Sequence, residues 1–214
     1  MKEYLSKLRK DYSMMALKEN EMDVNPIVQF ERWIADAANA EVNEPNAMVL
    51  CTVDKNNMPH SRIVLLRDIK NSSLCFYSNY NSNKAHDMEL NAHISLNFFW
   101  PDLERQVRIE GVVEKMTIVD SNEYFRSRPR ESQISAWASA QSTVLESRDT
   151  LEKIWKDLEE KWKGVADIDK PQFWGGYAVK PTLMEFWQGR PGRLHDRLRY
   201  RKEGENWILE RLAP

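Results

Sequence analysis

From Ala47 to Met116 the chain repeats short, β-rich apolar runs separated by polar turns, and this spacing constrains the fold more than any other feature. The runs predict strands over 47–53, 62–66, 74–77, 94–100 and 106–116. Most follow one another without a long helix between them, which favours antiparallel meanders closing into a barrel over alternating βαβ units. Asp54-Lys-Asn-Asn-Met-Pro59 reads as a hairpin loop. Val107, Ile109 and Gly111 alternate with Arg108 and Glu110, as a strand with one buried face requires. The pattern returns late in the chain, with strands expected over 175–179, 183–187 and 206–211.

Helices are added around these strands. Asn25 is an N-cap and Pro26 a first helical residue for a segment in which Ile27, Phe30, Trp33, Ile34 and Ala37 recur at helical spacing. Residues 82–91, with Ala85, Met88 and Glu89, read as a short helix opened by an N-cap. Asp120 with Glu123 resembles a capping box for a helix that ends before Pro129. A second helix follows Pro129. A third, over about 148–163, carries Leu151, Ile154, Trp155, Leu158 and Trp162 on one face. The fold class is mainly β with appended helices (α+β), read as one domain over 25–214 behind a mobile N-terminal segment, 1–24.

Composition narrows the function. Lys+Arg 31 against Asp+Glu 33 gives a net charge of −2, so no global field draws the chain to nucleic acid or to an anionic membrane. With 7 glycines in 214 residues there is no G-x-G-x-x-G and no G-x-x-x-x-G-K-[ST], which removes the two commonest glycine-built phosphate loops. Cys51 and Cys75 sit in apolar runs without metal spacing and read as buried free thiols. The charged amino terminus lacks the apolar core of a signal peptide, and no apolar run approaches a membrane span, so a cytoplasmic protein is expected.

Three clusters could carry chemistry. Arg62-Ile-Val-Leu-Leu-Arg67 sets a guanidinium at each end of an apolar strand; solvated strand-end arginines are the plainer reading. Tyr124 and Arg128, four apart on a helix, can converge on one anion, and the next helix start could present Ser132 with backbone N–H groups. A surface tyrosine beside a surface arginine is the plainer reading there. The densest cluster runs over 186–201, with Trp187, Gly189, Gly192, Arg193, His195, Asp196, Arg197, Arg199 and Arg201. It is either a solvated basic face or a shaped pocket for a planar anionic ligand. An extended backbone here would point Arg193 and His195 to one side.

Taken in order, Arg62-Ile-Val-Leu-Leu, Phe76-Tyr-Ser-Asn, Lys84-Ala-His, Leu103-Glu-Arg-Gln-Val, Tyr124-Phe-Arg-Ser-Arg-Pro-Arg-Glu-Ser-Gln-Ile, Ala138 to Ser142, Phe173-Trp-Gly-Gly, Glu185-Phe-Trp-Gln-Gly, Arg193-Leu-His-Asp-Arg and Arg211-Leu-Ala-Pro resemble the pyridoxamine 5′-phosphate oxidase family across nearly the whole chain. The resemblance implies an FMN-binding split β-barrel, homodimeric, with two FMN sites built from both subunits. Flavin contacts would then fall on Arg62, Ile63, Val64, Leu65, Leu66, Arg67, Tyr77, Ser78, Lys84, Gln106, Gln141, Ser142, Trp187 and Arg197. Substrate contacts would fall on Arg67, Tyr124, Arg128, Ser132, Arg193, Leu194 and His195, with Arg193 and His195 catalytic. Arg9 and Tyr12 would belong to a segment folding over the occupied site. Two positions depart from the family: Arg67 replaces a lysine and Asn83 an arginine, and the second change removes a cationic partner of the FMN phosphate.

The implied activity is the oxidation of pyridoxamine 5′-phosphate and pyridoxine 5′-phosphate to pyridoxal 5′-phosphate, with O2 reduced to H2O2. Two readings compete with it. One is a related split-barrel flavoprotein with another substrate, against which the Tyr124, Arg128 and Ser132 clamp argues. The other is a non-catalytic flavin- or pyridoxal-phosphate-binding protein on the same fold.

Overall fold

The computed structural model describes residues 12, 13 and 15–214. Its helices are α1 (Pro26–Asn39), α2 (Asn83–Leu90), α3 (Ile118–Ser127), α4 (Arg130–Ala138) and α5 (Arg148–Lys161). Its strands are β1 (Ala47–Val53), β2 (Pro59–Leu65), β3 (Asp68–Lys70), β4 (Ser73–Asn79), β5 (His93–Trp100), β6 (Arg105–Lys115), β7 (Trp174–Gln188), β8 (Asp196–Glu203) and β9 (Asn206–Leu212). The hydrogen-bonded order is β2-β1-β5-β6-β7-β4-β3, with β8 paired to β7 and β9. Among the described residues no helix is long and apolar enough to cross a membrane.

The chain divides into two compact units. One comprises Met1–Leu50, Ser95–Gly111 and Pro181–Pro214. Its core forms where α1 presents the apolar stripe that the sequence spaces at helical intervals. Asn25 accepts the Ile27 amide and Pro26 occupies the first turn. Phe30 and Trp33 are buried. Phe30 packs on Phe98 at 4.9 Å, and Trp33 meets Phe186 edge-on at 5.1 Å. Arg105 is buried over the Trp33 ring and paired with Asp36 at 2.7 Å, which offsets the cost of removing its charge from water. β8 pairs with β7 in the register Phe186↔Leu198 and with β9 in the register Tyr200↔Leu209. The described residues before α1 are tied to these strands: the Leu17 amide donates to Asp196, and Arg211 donates to the Leu17 carbonyl and pairs with Glu19.

The other unit comprises Cys51–Ile94 and Val112–Lys180. Here β4 pairs with β3 (Ile69↔Leu74) and with the first half of β7 (Phe76↔Tyr177). A separate cluster of Phe125, Ile134, Ala136, Ile168 and Trp174 forms beneath α3 and α4, against which Trp155 and Leu158 of α5 are half-buried. The sequence spacing of α5 is therefore realised as a stripe covering this cluster rather than as a core helix. Cys75 is buried and Cys51 half-buried, both as free thiols.

Four local expectations are corrected. The strands expected at 175–179 and 183–187 are one continuous β7, because Pro181, whose fixed φ suits an extended chain, interrupts the apolar pattern without turning the backbone. β8 was hidden by charge: six of the eight residues in Asp-Arg-Leu-Arg-Tyr-Arg-Lys-Glu are charged, and only Leu198 and Tyr200 carry the period of two. α3 begins one turn before the expected capping box. Thr117 is its N-cap, its hydroxyl accepting from the Asp120 amide at 3.1 Å. Ser82 does stand at the N-cap of α2, yet its hydroxyl donates to the Asn79 carbonyl instead of capping the helix.

Candidate active site

A cavity of about 680 Å³ opens within the Cys51–Ile94/Val112–Lys180 unit. β2 contributes Arg62, Ile63, Val64 and Leu65, and Arg67 follows just beyond its end. β4 contributes Tyr77, Ser78 and Asn79, and α2 contributes Asn83 and Lys84 from its first turn. α3 supplies Tyr124 and, at its C-cap, Arg128. The far wall is Ser135 and Ala136 of α4, the turn residues Ser139, Gln141 and Ser142, and Trp174.

Two pairs of cations face this cavity. Lys84 is buried, and its Nζ donates to Ser78 Oγ (3.2 Å), Ser82 Oγ (3.1 Å) and Gln141 Oε1 (2.9 Å), all neutral acceptors. Burial, and then the positive charge of Arg62, pull its pKa down to about 8. Arg62 is itself held low by burial, with Asp87 acting in the opposite sense. At the second pair burial lowers Arg128, Tyr124 raises it and Arg67 lowers it. Arg128 lies 4.6 Å over the Trp174 ring, and its buried Nη1 has no hydrogen-bond partner among the described residues.

Like charges brought together out of water cost free energy unless an anion joins them. An anionic group entering the cavity would relieve either pair. Between them runs an aromatic wall: Tyr77 stacks on Tyr124 at 3.7 Å and 12°, and Trp174 lies nearly parallel to both. The turn closing the cavity is fixed by Asn79 donating to the Ser139 carbonyl (3.1 Å) and by the Asn83 amide donating to Ser142 Oγ (3.3 Å). Ser142 takes a left-handed backbone, φ 73°.

Arg62, Ile63, Val64, Leu65, Arg67, Tyr77, Ser78, Lys84, Gln141, Ser142, Tyr124 and Arg128 are thus brought to one cavity from far apart in sequence. Leu66 is buried and is not part of the lining. Ser132 is also outside the lining, where α4 presents Ser135 and Ala136 instead. Asn79, Ser139 and Trp174 were missed as site residues. Trp174 stood in the Phe173-Trp-Gly-Gly motif, which was its only signal.

Gln106, Trp187, Arg193, Leu194, His195 and Arg197 belong to the other unit and do not line this cavity. Within that unit Trp187, His195 and Tyr12 form an aromatic group, with Trp187 4.7 Å and Tyr12 5.5 Å from the His195 ring. A Cβ on Gly189 would overlap the Tyr12 ring, so only glycine permits the approach. The Arg190 amide donates to His195 Nδ1 at 3.1 Å, which places the ring proton of neutral His195 on Nε2. The expected extended backbone across Arg193 and His195 is not found. Gly192 and Arg193 have φ of 65° and 62°, a turn that separates Arg193 from the strand beginning at Asp196. Arg197 donates from Nε to Glu185 at 2.7 Å. Gln106 is half-buried on β6, Leu194 is exposed, and Arg9 lies outside the described residues.

Comparison with known proteins gives this geometry a family. A family model described as pyridoxamine 5′-phosphate oxidase matches residues 34–161, and one described as the pyridoxine 5′-phosphate oxidase C-terminal dimerisation region matches residues 174–214. The chain belongs to the pyridoxine/pyridoxamine 5′-phosphate oxidase family. Curated relatives of that name from Cyanothece sp. and Acaryochloris marina are 47% and 49% identical over 210 residues, covering 98% of this chain and 98% and 95% of theirs. PhzG from Burkholderia lata, solved in complex with tetrahydrophenazine-1-carboxylic acid, superposes with a TM-score of 0.89 at 27% identity, over 96% of this chain and all of that one. An FMN-binding protein from Nostoc punctiforme, related to pyridoxamine 5′-phosphate oxidase, shares the fold at a TM-score of 0.72 and 14% identity. The mainly β split-barrel class expected from the sequence is the fold of this family, and the chain is an oxidoreductase of it.

Proposed function

We propose that this chain is an FMN-dependent oxidase converting pyridoxamine 5′-phosphate and pyridoxine 5′-phosphate to pyridoxal 5′-phosphate, with O2 as acceptor and H2O2 as product. The observation that carries the proposal is the presence of two cation pairs, Arg62 with Lys84 and Arg67 with Arg128, in one cavity with an aromatic wall. FMN and the substrate each bring one phosphate and one planar ring system. The residues fit such a pair of ligands: the donors of Lys84 meet only neutral partners, and the unpartnered Arg128 Nη1 is a buried donor awaiting an acceptor.

FMN, when bound, supplies the two-electron oxidising chemistry. The protein's part is to bind, orient and hold protons. Arg62 and Lys84 hold the cofactor phosphate, with Ser78 and Gln141 keeping the lysine in place. Arg67, Tyr124 and Arg128 hold the substrate phosphate, and the planar guanidinium of Arg67 offers a fork where the family resemblance expects an ammonium. His195, with its proton on Nε2, is suited to exchange a proton with the substrate's amine or hydroxyl, and Arg193 to position that group. Arg197, held by Glu185, carries positive charge for the electron-rich flavin ring. These carboxy-terminal residues lie in the segment matched by the dimerisation model, which supports a homodimer whose sites use both copies. The cytoplasm is the proposed working place.

The test is direct. The purified protein should be yellow with a flavin spectrum and should release peroxide on addition of pyridoxamine 5′-phosphate. A colourless protein that takes up no FMN overturns the proposal. A yellow one that releases no peroxide leaves the carrier reading. Arg193→Ala and His195→Ala should each lower kcat by more than a few-fold, and wild-type turnover in both would remove them from catalysis.

A further inference from the structure

Behind the cation pair at Arg62 and Lys84 stand two side chains that do not line the cavity, Thr52 of β1 and Asp87 of α2. Both are buried. Thr52 Oγ1 donates to Asp87 Oδ2 at 2.6 Å and accepts from Arg62 Nη1 at 2.7 Å. The direction of this relay is forced by charge. A guanidinium has only N–H donors and a carboxylate only acceptors, so the single hydroxyl proton of Thr52 must point to Asp87 and its lone pair to Arg62. The carboxylate lies 3.8 Å from Arg62 Nη2, beyond a good hydrogen bond. The hydroxyl thus stands between the ions as a spacer. Arg62 also donates from Nη1 to the His60 carbonyl, which fixes the same end of the guanidinium from its own strand.

We propose that Thr52 and Asp87 are positioning residues that aim Arg62 at the anionic group bound beside Lys84. Asp87 sits three residues after Lys84 on α2, so one helix turn carries the cation that faces the cavity and the carboxylate that holds its companion. Without the Thr52 spacer, nothing holds the guanidinium off Asp87, 3.8 Å away, and it closes onto the carboxylate. Without Asp87, the relay loses its acceptor and Arg62 a charged partner. The inference rests on the proposed function only in taking the anionic group to be the phosphate of FMN.

The experiment compares FMN with riboflavin, which has the same ring and no phosphate, by flavin fluorescence during titration and during release on dilution of the flavin-loaded protein. Thr52→Val, which keeps shape and net charge, should weaken FMN at least about tenfold, in the range of a lost hydrogen bond to a charged group. Riboflavin affinity should stay unchanged, and Thr52→Ser, which keeps the hydroxyl, should restore FMN affinity. Asp87→Asn is the second variant and carries the test alone if Thr52→Val does not fold. Positioning expects weaker FMN binding in Asp87→Asn, whereas simple charge repulsion expects removal of a nearby negative charge to strengthen it. Unchanged FMN affinity in Thr52→Val, equal losses for FMN and riboflavin, or tighter FMN binding in Asp87→Asn would each overturn the proposal. If the wild-type protein binds no FMN, it is the cofactor reading that fails.

Discussion

Lys84 donates to three neutral oxygens and faces Arg62, so its ammonium holds a proton only to about pH 8. An anion seated between the two cations favours the charged lysine, which ties binding to protonation. A phosphate monoester loses its second proton near about pH 6, so above that value the ligand's charge is constant and Lys84 alone sets the trend. FMN affinity should therefore be level between about pH 7 and 8 and fall by up to about tenfold per pH unit above that. Titration at three pH values checks this. The decline should disappear in Lys84→Arg, whose guanidinium does not titrate there. Asn83 lies in the same first turn of α2 and also lines the cavity. Asn83→Arg adds a third cation to this end, and FMN should bind several-fold more tightly. Unchanged or weaker binding would reject that role.

At the scale of elements, α3 holds Tyr124 and Arg128 against the cavity and is started by a single hydroxyl. Thr117→Ala removes the cap on the Asp120 amide and should cost about 1 kcal/mol. It would be read as a lower Tm with the variant still binding phosphate, since the helix body is anchored by buried Phe125. Legibility varied between elements for physical reasons. α1 was plain because Phe30, Trp33 and Ala37 are buried at the period of the helix. β8 was not, because its arginines run along a half-buried face and are paired with carboxylates such as Glu210 on β9, so charge masked an alternation of only two apolar residues. The Tyr124 and Arg128 pair was legible from spacing. The wall opposite was not: Ser135 and Ala136 are small residues without a chemical signature, and only the packing of α4 brings them to the cavity.

For the whole molecule, the dimerisation match over residues 174–214 covers Trp187, Arg193, His195 and Arg197, four of the proposed site residues that the cavity lining lacks. Light scattering should give twice the 25.2 kDa chain mass, and a monomer with full activity would refute a site built from two copies. A net charge of −2 coexists with a strongly cationic cavity because carboxylates such as Glu185, Asp196 and Glu210 neutralise the remaining arginines pairwise. On the proposed function the cavity would hold its anions with side chains, in a chain of 7 glycines whose sequence carries neither common glycine-built phosphate loop. A loop of backbone amides offers contacts that few substitutions can alter without rebuilding the turn. A cradle of side chains is different: each contact is encoded by its own codon and can be strengthened, exchanged or lost alone. If Arg67 and Asn83 are two such exchanges, as the family resemblance implies, the grip on cofactor and substrate can drift one contact at a time, as a graded trait open to selection, while the barrel that carries it stays the same.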